Sequence, residues 1–136
     1  MSNNSIDIKI QAFCNLFNEF LDDLSRMYPN DMSLKMLKNA CSIMIMTNNK
    51  SFIFQVMNII SPYSEKILAR DEEFFKTTFK DDLEDSYILQ EFHKVHDIWV
   101  NPDTTKNTKE CIWRYFTFFV KLGNDIVSNI NTSSKK

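Results

Sequence analysis

Three prolines and one glycine are the only strong backbone breakers in this 136-residue chain, and each proline stands in a short polar segment between long apolar runs at helical spacing. The breakers are Tyr28-Pro29-Asn30-Asp31, Ser61-Pro62-Tyr63-Ser64 and Asn101-Pro102-Asp103-Thr104. Proline fixes φ and donates no hydrogen bond, so it suits the ends of helices and is excluded from their interiors. The expected fold is therefore all-α: one domain over residues 1–130, a bundle of five to six helices, with a flexible tail over 131–136.

The apolar periodicity locates the helices. Phe13, Leu16, Phe17, Phe20, Leu21, Leu24 and Met27 recur at three and four, with Asn18, Glu19, Asp22, Asp23 and Arg26 on the other side, which predicts a helix from about Ile6 to Met27. Asp31 is a natural N-cap for a second helix carrying Leu34, Leu37, Ala40, Cys41, Met44 and Ile45 and ending near Thr47-Asn48-Asn49. A third is expected from near Ser51 to Ile60. Ser61-Pro62 fits the N-cap and first-turn pair of a fourth, running through Ile67 and Leu68 towards Phe74 and Phe75. Leu83, Ile88, Leu89, Phe92, Val95, Ile98 and Trp99 form a further stripe.

The last helix is the most apolar. Ile112, Trp113, Phe116, Phe119, Val120, Ile126 and Val127 line one face, and Tyr115, Phe118 and Leu122 extend the arc beside it. A helix apolar over so much of its circumference is either central to its own bundle or buried in part against another chain. Tyr115, Phe118 and Leu122 are thus the candidate partner-binding residues. Gly123 either ends this helix or permits close packing at one position.

Composition narrows the functional classes. Twelve phenylalanines are a heavy aromatic load, which implies a dense core or a core plus an apolar contact surface. The net charge of −2 offers polyphosphate no global attraction. The C-terminal part does carry a local excess, with Lys106, Lys109, Arg114 and Lys121, then Lys135 and Lys136, against Asp103, Glu110 and Asp125. Those four helical cations are the candidate nucleic-acid contacts of an alternative reading, weakened because the interleaved aromatics follow core spacing.

Cys14, Cys41 and Cys111 are odd in number and far apart, as expected of reduced, packed thiols. The N-terminal residues lack a basic region followed by an apolar core, and no apolar run approaches the roughly 20 residues of a membrane span. A soluble intracellular protein is expected. His93 and His96 are three apart and could share a face as metal ligands do, but no His-Glu-x-x-His or Glu-x-x-His pattern accompanies them, so ordinary surface or hydrogen-bonded histidines are expected. Asp71, Glu72, Glu73, Asp81, Asp82, Glu84 and Asp85 are acidic without the glycine-bearing calcium loop, and are expected to start helices and face solvent. With no phosphate loop, nucleophile elbow or catalytic pair, neither enzymatic activity nor a cofactor is expected.

The strings FNEFLDDL from Phe17 to Leu24, YPND from Tyr28 to Asp31, SPY from Ser61 to Tyr63, ARDEEFF from Ala69 to Phe75 and KECIWRYF from Lys109 to Phe116 resemble small uncharacterised proteins of the large DNA viruses of algae and protists. The resemblance extends from about Phe13 to Ile130. It implies an intracellular, all-helical viral protein, with no activity or catalytic residues to carry over; the expected location is the host cytoplasm, a viral factory or the virion. A composition rich in Asn, Lys, Ile and Phe, as from an AT-rich genome, fits that origin. The reading as a whole is of a non-enzymatic interaction protein, binding a protein partner or a second copy through helical apolar faces.

Overall fold

Capping residues divide the chain into helices largely where the sequence places them. The structure is a computed structural model that describes the backbone of residues 3–77 and 87–134, and the side chains of residues 5–77 and 92–130. Helices α1 (Asn3–Met27), α2 (Met32–Thr47), α3 (Asn49–Ile60), α4 (Ser64–Leu68), α5 (Glu72–Thr77), α6 (Tyr87–Val100) and α7 (Lys106–Ser134) follow one another, with a 3-10 turn at Ser61–Tyr63. Apart from α4, a short turn of five residues, six helices make the bundle, and no strand occurs among the described residues. The all-α bundle of five to six helices is thus found.

The breaks have local causes. Asp31 caps α2 as expected, its carboxylate accepting from the Leu34 amide at 3.2 Å. Asn48 closes α2 with its own amide on the Met44 carbonyl and opens α3 by accepting from the Ser51 amide at 3.0 Å. Asn101 folds its side chain onto the Asp103 amide at 2.9 Å, and Thr105 then caps α7 through the Thr108 amide at 3.2 Å. Side-chain oxygens satisfy here the amides that a helix start leaves without intrahelical partners.

Two expectations are corrected. Ser61 does not act as a side-chain cap; Pro62 instead sits in the 3-10 turn, and the Ser61 carbonyl accepts from the Ser64 hydroxyl at 2.7 Å. The fourth helix does not continue to Phe75 either. It stops at Leu68 because Arg70 adopts a left-handed conformation, φ 56°, with the Arg70 amide on the Ile67 carbonyl and the Asp71 amide on the Lys66 carbonyl. That pair of bonds is a Schellman closure, made here without the usual glycine. Asp71 then starts α5, accepting from the Glu73 amide at 3.1 Å, which is the helix-starting role expected of the first acids in that segment. Asp81, Asp82, Leu83, Glu84 and Asp85 lie outside the described residues. At the other end α7 remains helical to Ser134, and Lys135 and Lys136 also lie outside the described residues.

The core forms around α7, 29 residues and so about 43 Å long. α1 runs antiparallel to it: Lys9 pairs with Asp125, Phe13 meets Phe119 at 5.5 Å between ring centres, and Phe20 meets Phe116 at 5.8 Å. Phe116 also packs edge-on against Phe75 at 5.0 Å and Phe92 at 5.7 Å, joining α5 and α6 to the same column of rings. Phe75 in turn stacks on Trp99 at 4.5 Å and lies 4.7 Å from Trp113. Edge-to-face and offset pairs of this kind contribute about 0.5–1.5 kcal/mol each beyond the burial of area.

Gly123 is buried inside α7, so close packing, not helix termination, explains it. A Cβ at this position would lie 2.2 Å from Met57 Sδ and 2.9 Å from Met57 Cγ. Gly123→Ala should therefore lose about 1 kcal/mol net, because overpacking of about 1–3 kcal/mol exceeds a helix-propensity gain of about 1 kcal/mol. In urea titrations the loss should shrink when Met57→Ala is already present, and strict additivity would refute the packing account.

Asp31 also gives the fold a pH dependence. Partial burial alone would raise its pKa, but hydrogen bonds from Lys94, Ser33 and the Leu34 amide, with the Lys94 charge, bring it down to about 2. The Lys94 ammonium lies 2.6 Å from the carboxylate, tying α6 to the start of α2. A carboxyl held below its unfolded value stabilises the fold above the unfolded pKa and loses that contribution as pH falls through the folded one. Asp31→Asn keeps a good cap and removes the charge, so it should cost no more than about 1 kcal/mol at pH 7. The difference from the parent should vanish between about pH 4 and pH 2, as read by denaturation midpoints; a gap constant over that range would contradict it.

Candidate interaction surface

On α7 the exposed and buried aromatics separate cleanly. Phe116 and Phe119 are fully buried and Trp113 is 5% exposed, whereas Phe118 is 55% exposed. The expected contact residues Tyr115 and Leu122 are half-buried against the core and flank Phe118. Leu16 and Asp23 of α1 and Cys111, Arg114, Tyr115 and Phe118 of α7 line a surface hollow of about 230 Å³. The Tyr115 hydroxyl donates to the Asp23 carboxylate, which also pairs with Arg26, so the floor of the hollow is held by a polar network. Burial raises the Tyr115 hydroxyl pKa, with the nearby Cys111 and Glu19 adding to it, and the phenol is kept as a neutral donor.

A second apolar surface escaped the sequence reading. Nine large apolar side chains are exposed among the described residues, and four of them, Met32 at 64%, Met36 at 66%, Ile43 at 63% and Met46 at 84%, belong to α2. With the exposed Asn39 between them they follow one another at steps of four, three, four and three, so they form a straight stripe on the outer face. Leu34, Leu37 and Cys41 fill the inner face. The signal is in the sequence, but the stripe Leu34, Leu37, Ala40, Cys41, Met44 and Ile45 already accounts for a core-facing helix, and Met32, Met36, Ile43 and Met46 fall outside it.

The candidate nucleic-acid residues do not form one patch. Lys109 holds its ammonium 5.1 Å from the centre of the Trp99 ring, and Lys106, Arg114 and Lys121 are exposed on α7. Together the four spread over about 140° of the helix. Glu110 lies within that arc, bonded to Arg70 at 2.6 Å and close enough to Arg114 for that charge to help lower its own pKa, an effect led by the Arg70 hydrogen bond.

Of the thiols, Cys14 and Cys41 are buried, and burial pushes Cys14 up to about 11, where no thiolate nucleophile forms at neutral pH. Cys111 is half-buried at the α1–α7 hollow. On α6, His93 and His96 do share a face, with Asp97 beside them. No helix among the described residues is long and apolar enough to cross a membrane. Comparison with protein-family models, with curated proteins and with solved structures finds no match.

The contrast along α7 is testable. Phe118→Glu should leave the urea midpoint within about 0.5 kcal/mol of the parent, as an exposed substitution does. Trp113→Ala, cut from the cluster with Phe75 and Trp99, should lose about 3–5 kcal/mol. Equal behaviour of the two variants would contradict the separation of faces.

Proposed function

We propose that this chain is a non-enzymatic protein-interaction module whose principal docking face is the outer stripe of α2. The observation that carries this is the row Met32, Met36, Ile43 and Met46, large apolar side chains held in water on a well-capped helix that needs none of them for its own core. Keeping such residues exposed gains nothing for an isolated fold, and contiguous exposed apolar patches mark contact sites. Their spacing suits a second helix laid along α2, and methionine adapts its shape to the partner it meets. Asn39 interrupts the row at one position, as polar residues do where a helix pair has a defined register. Phe118, with Tyr115 and Leu122, offers a smaller second face over the α1–α7 hollow. The resemblance to proteins of large DNA viruses makes a virion component or an adaptor for host machinery the setting proposed for this docking. The nucleic-acid reading finds less support, because Glu110 and the Lys109–Trp99 contact divide the basic residues of α7.

Met36→Glu combined with Ile43→Glu tests the proposal. Partners co-purifying with the tagged chain from its native cell or particle, together with the solution mass by light scattering, should be lost or lowered in the double variant while the melting temperature stays that of the parent. Retention of every partner and of the parental mass would refute the α2 face. Loss through Phe118→Glu instead would move the function to the α1–α7 hollow, and salt-sensitive oligonucleotide binding unaffected by either change would favour the basic residues.

A further inference from the structure

We propose that His93, His96 and Asp97 on the exposed side of α6 form a mononuclear zinc site. Spacing alone put two imidazoles on one helical face; the structure adds a carboxylate between them. Asp97 Oδ1 lies 3.2 Å from His96 Nδ1, and Asp97 Oδ2 lies 3.7 Å from His93 Nε2. One donor atom from each of the three residues falls within 4.8 Å of the others. Donors bound at about 2.0–2.1 Å around a tetrahedral zinc ion stand about 3.3 Å apart; each imidazole approaches a different oxygen of Asp97 at a separation near that value, and one ion draws the three residues together from within 4.8 Å. The rings lie 6.0 Å apart between centres and 26° from parallel, so the two imidazoles stand side by side along one face of α6.

The surroundings favour an ion of this class. The imidazole side chains are 14% and 29% exposed, so their approach is restricted, while Asp97 is 52% exposed and leaves the site open to solvent on one side. Lys94, the nearest cation along the helix, is held by Asp31 at 2.6 Å and does not compete for Asp97. Two nitrogens and one oxygen form the borderline donor set that suits zinc better than calcium or magnesium, which take mostly oxygen. Three protein donors leave a fourth position, filled by water or by a donor from a docked partner.

The test uses the whole chain. Zinc titrated into the purified protein should bind with one-to-one stoichiometry in calorimetry and raise the melting temperature. His93→Ala and His96→Ala should each weaken binding by about tenfold or more and reduce the thermal shift at the same zinc concentration. Asp97→Asn should weaken it as well. Cobalt in place of zinc should give visible d–d absorption without a thiolate charge-transfer band, and Cys111→Ser should leave the affinity unchanged. All four substituted side chains are at least partly exposed, and melting of each variant without metal reports its folding separately. Binding that survives both histidine substitutions, that follows Cys111 instead, that ignores Asp97→Asn, or that is absent at millimolar zinc would each overturn the three-ligand site.

Discussion

The fold depends on a column of aromatic rings built on α7. Phe116 and Phe119 present their faces and edges to Phe13, Phe17 and Phe20 of α1, to Phe74 and Phe75 at α5, and to Phe92 of α6. Short-range periodicity makes each helix amphipathic, and these rings specify how α1, α5 and α6 meet α7. Two flat residues fit in few ways at 5–6 Å, and a slip of one turn would separate each phenylalanine from its neighbour, so the column acts as a register key as well as a source of burial. Gly123 belongs to the same requirement: removing the side chain there lets Met57 of α3 lie directly on the α7 backbone.

Much of this organisation is written locally. The cap at Asp31 and the prolines at 29 and 102 act within a few residues, so the start of α2 and the break before α7 are legible in the sequence, whereas the cap at Asn48, which starts α3 two residues before Ser51, is seen only in the structure. The division between α4 and α5 is not legible either. It rests on Arg70 taking a left-handed conformation that its side chain disfavours, held by two backbone bonds and by its contact with Glu110, which is 40 residues away. Nothing in the run Ile67 to Phe75 announces that turn, since glycine or asparagine would be its usual mark.

The candidate surfaces show the same limit in a different form. Periodicity reported that α7 is apolar over a wide arc, and Tyr115, Phe118 and Leu122 were read as one strip, yet only Phe118 is held mostly in water, because Tyr115 is drawn onto α1 by Asp23 and Phe20. On α2 a second strip was hidden because apolar residues on opposite faces look alike until a neighbouring helix takes one face. The histidine pair on α6 was visible as spacing, whereas the part played by Asp97 required knowing where its two oxygens lie.

The pairing of α1 with α7 has a consequence for the way the chain comes into being. Tyr115 and Asp23, which bind each other across that seam, are 92 residues apart in sequence. As the protein emerges from the ribosome, α1 appears early with Phe13, Phe17 and Phe20 facing outward, and the surface that covers them is synthesised late. At about 5–20 residues per second the interval lasts several seconds, long compared with the microseconds a helix needs to form. During that time α1 has only α2 and α3 of its native neighbours to pack against, as in the Phe17–Phe52 contact, and the face that α7 covers in the finished molecule has no native partner. The seam between α1 and α7 therefore closes last, after every other neighbour of α1 has been made.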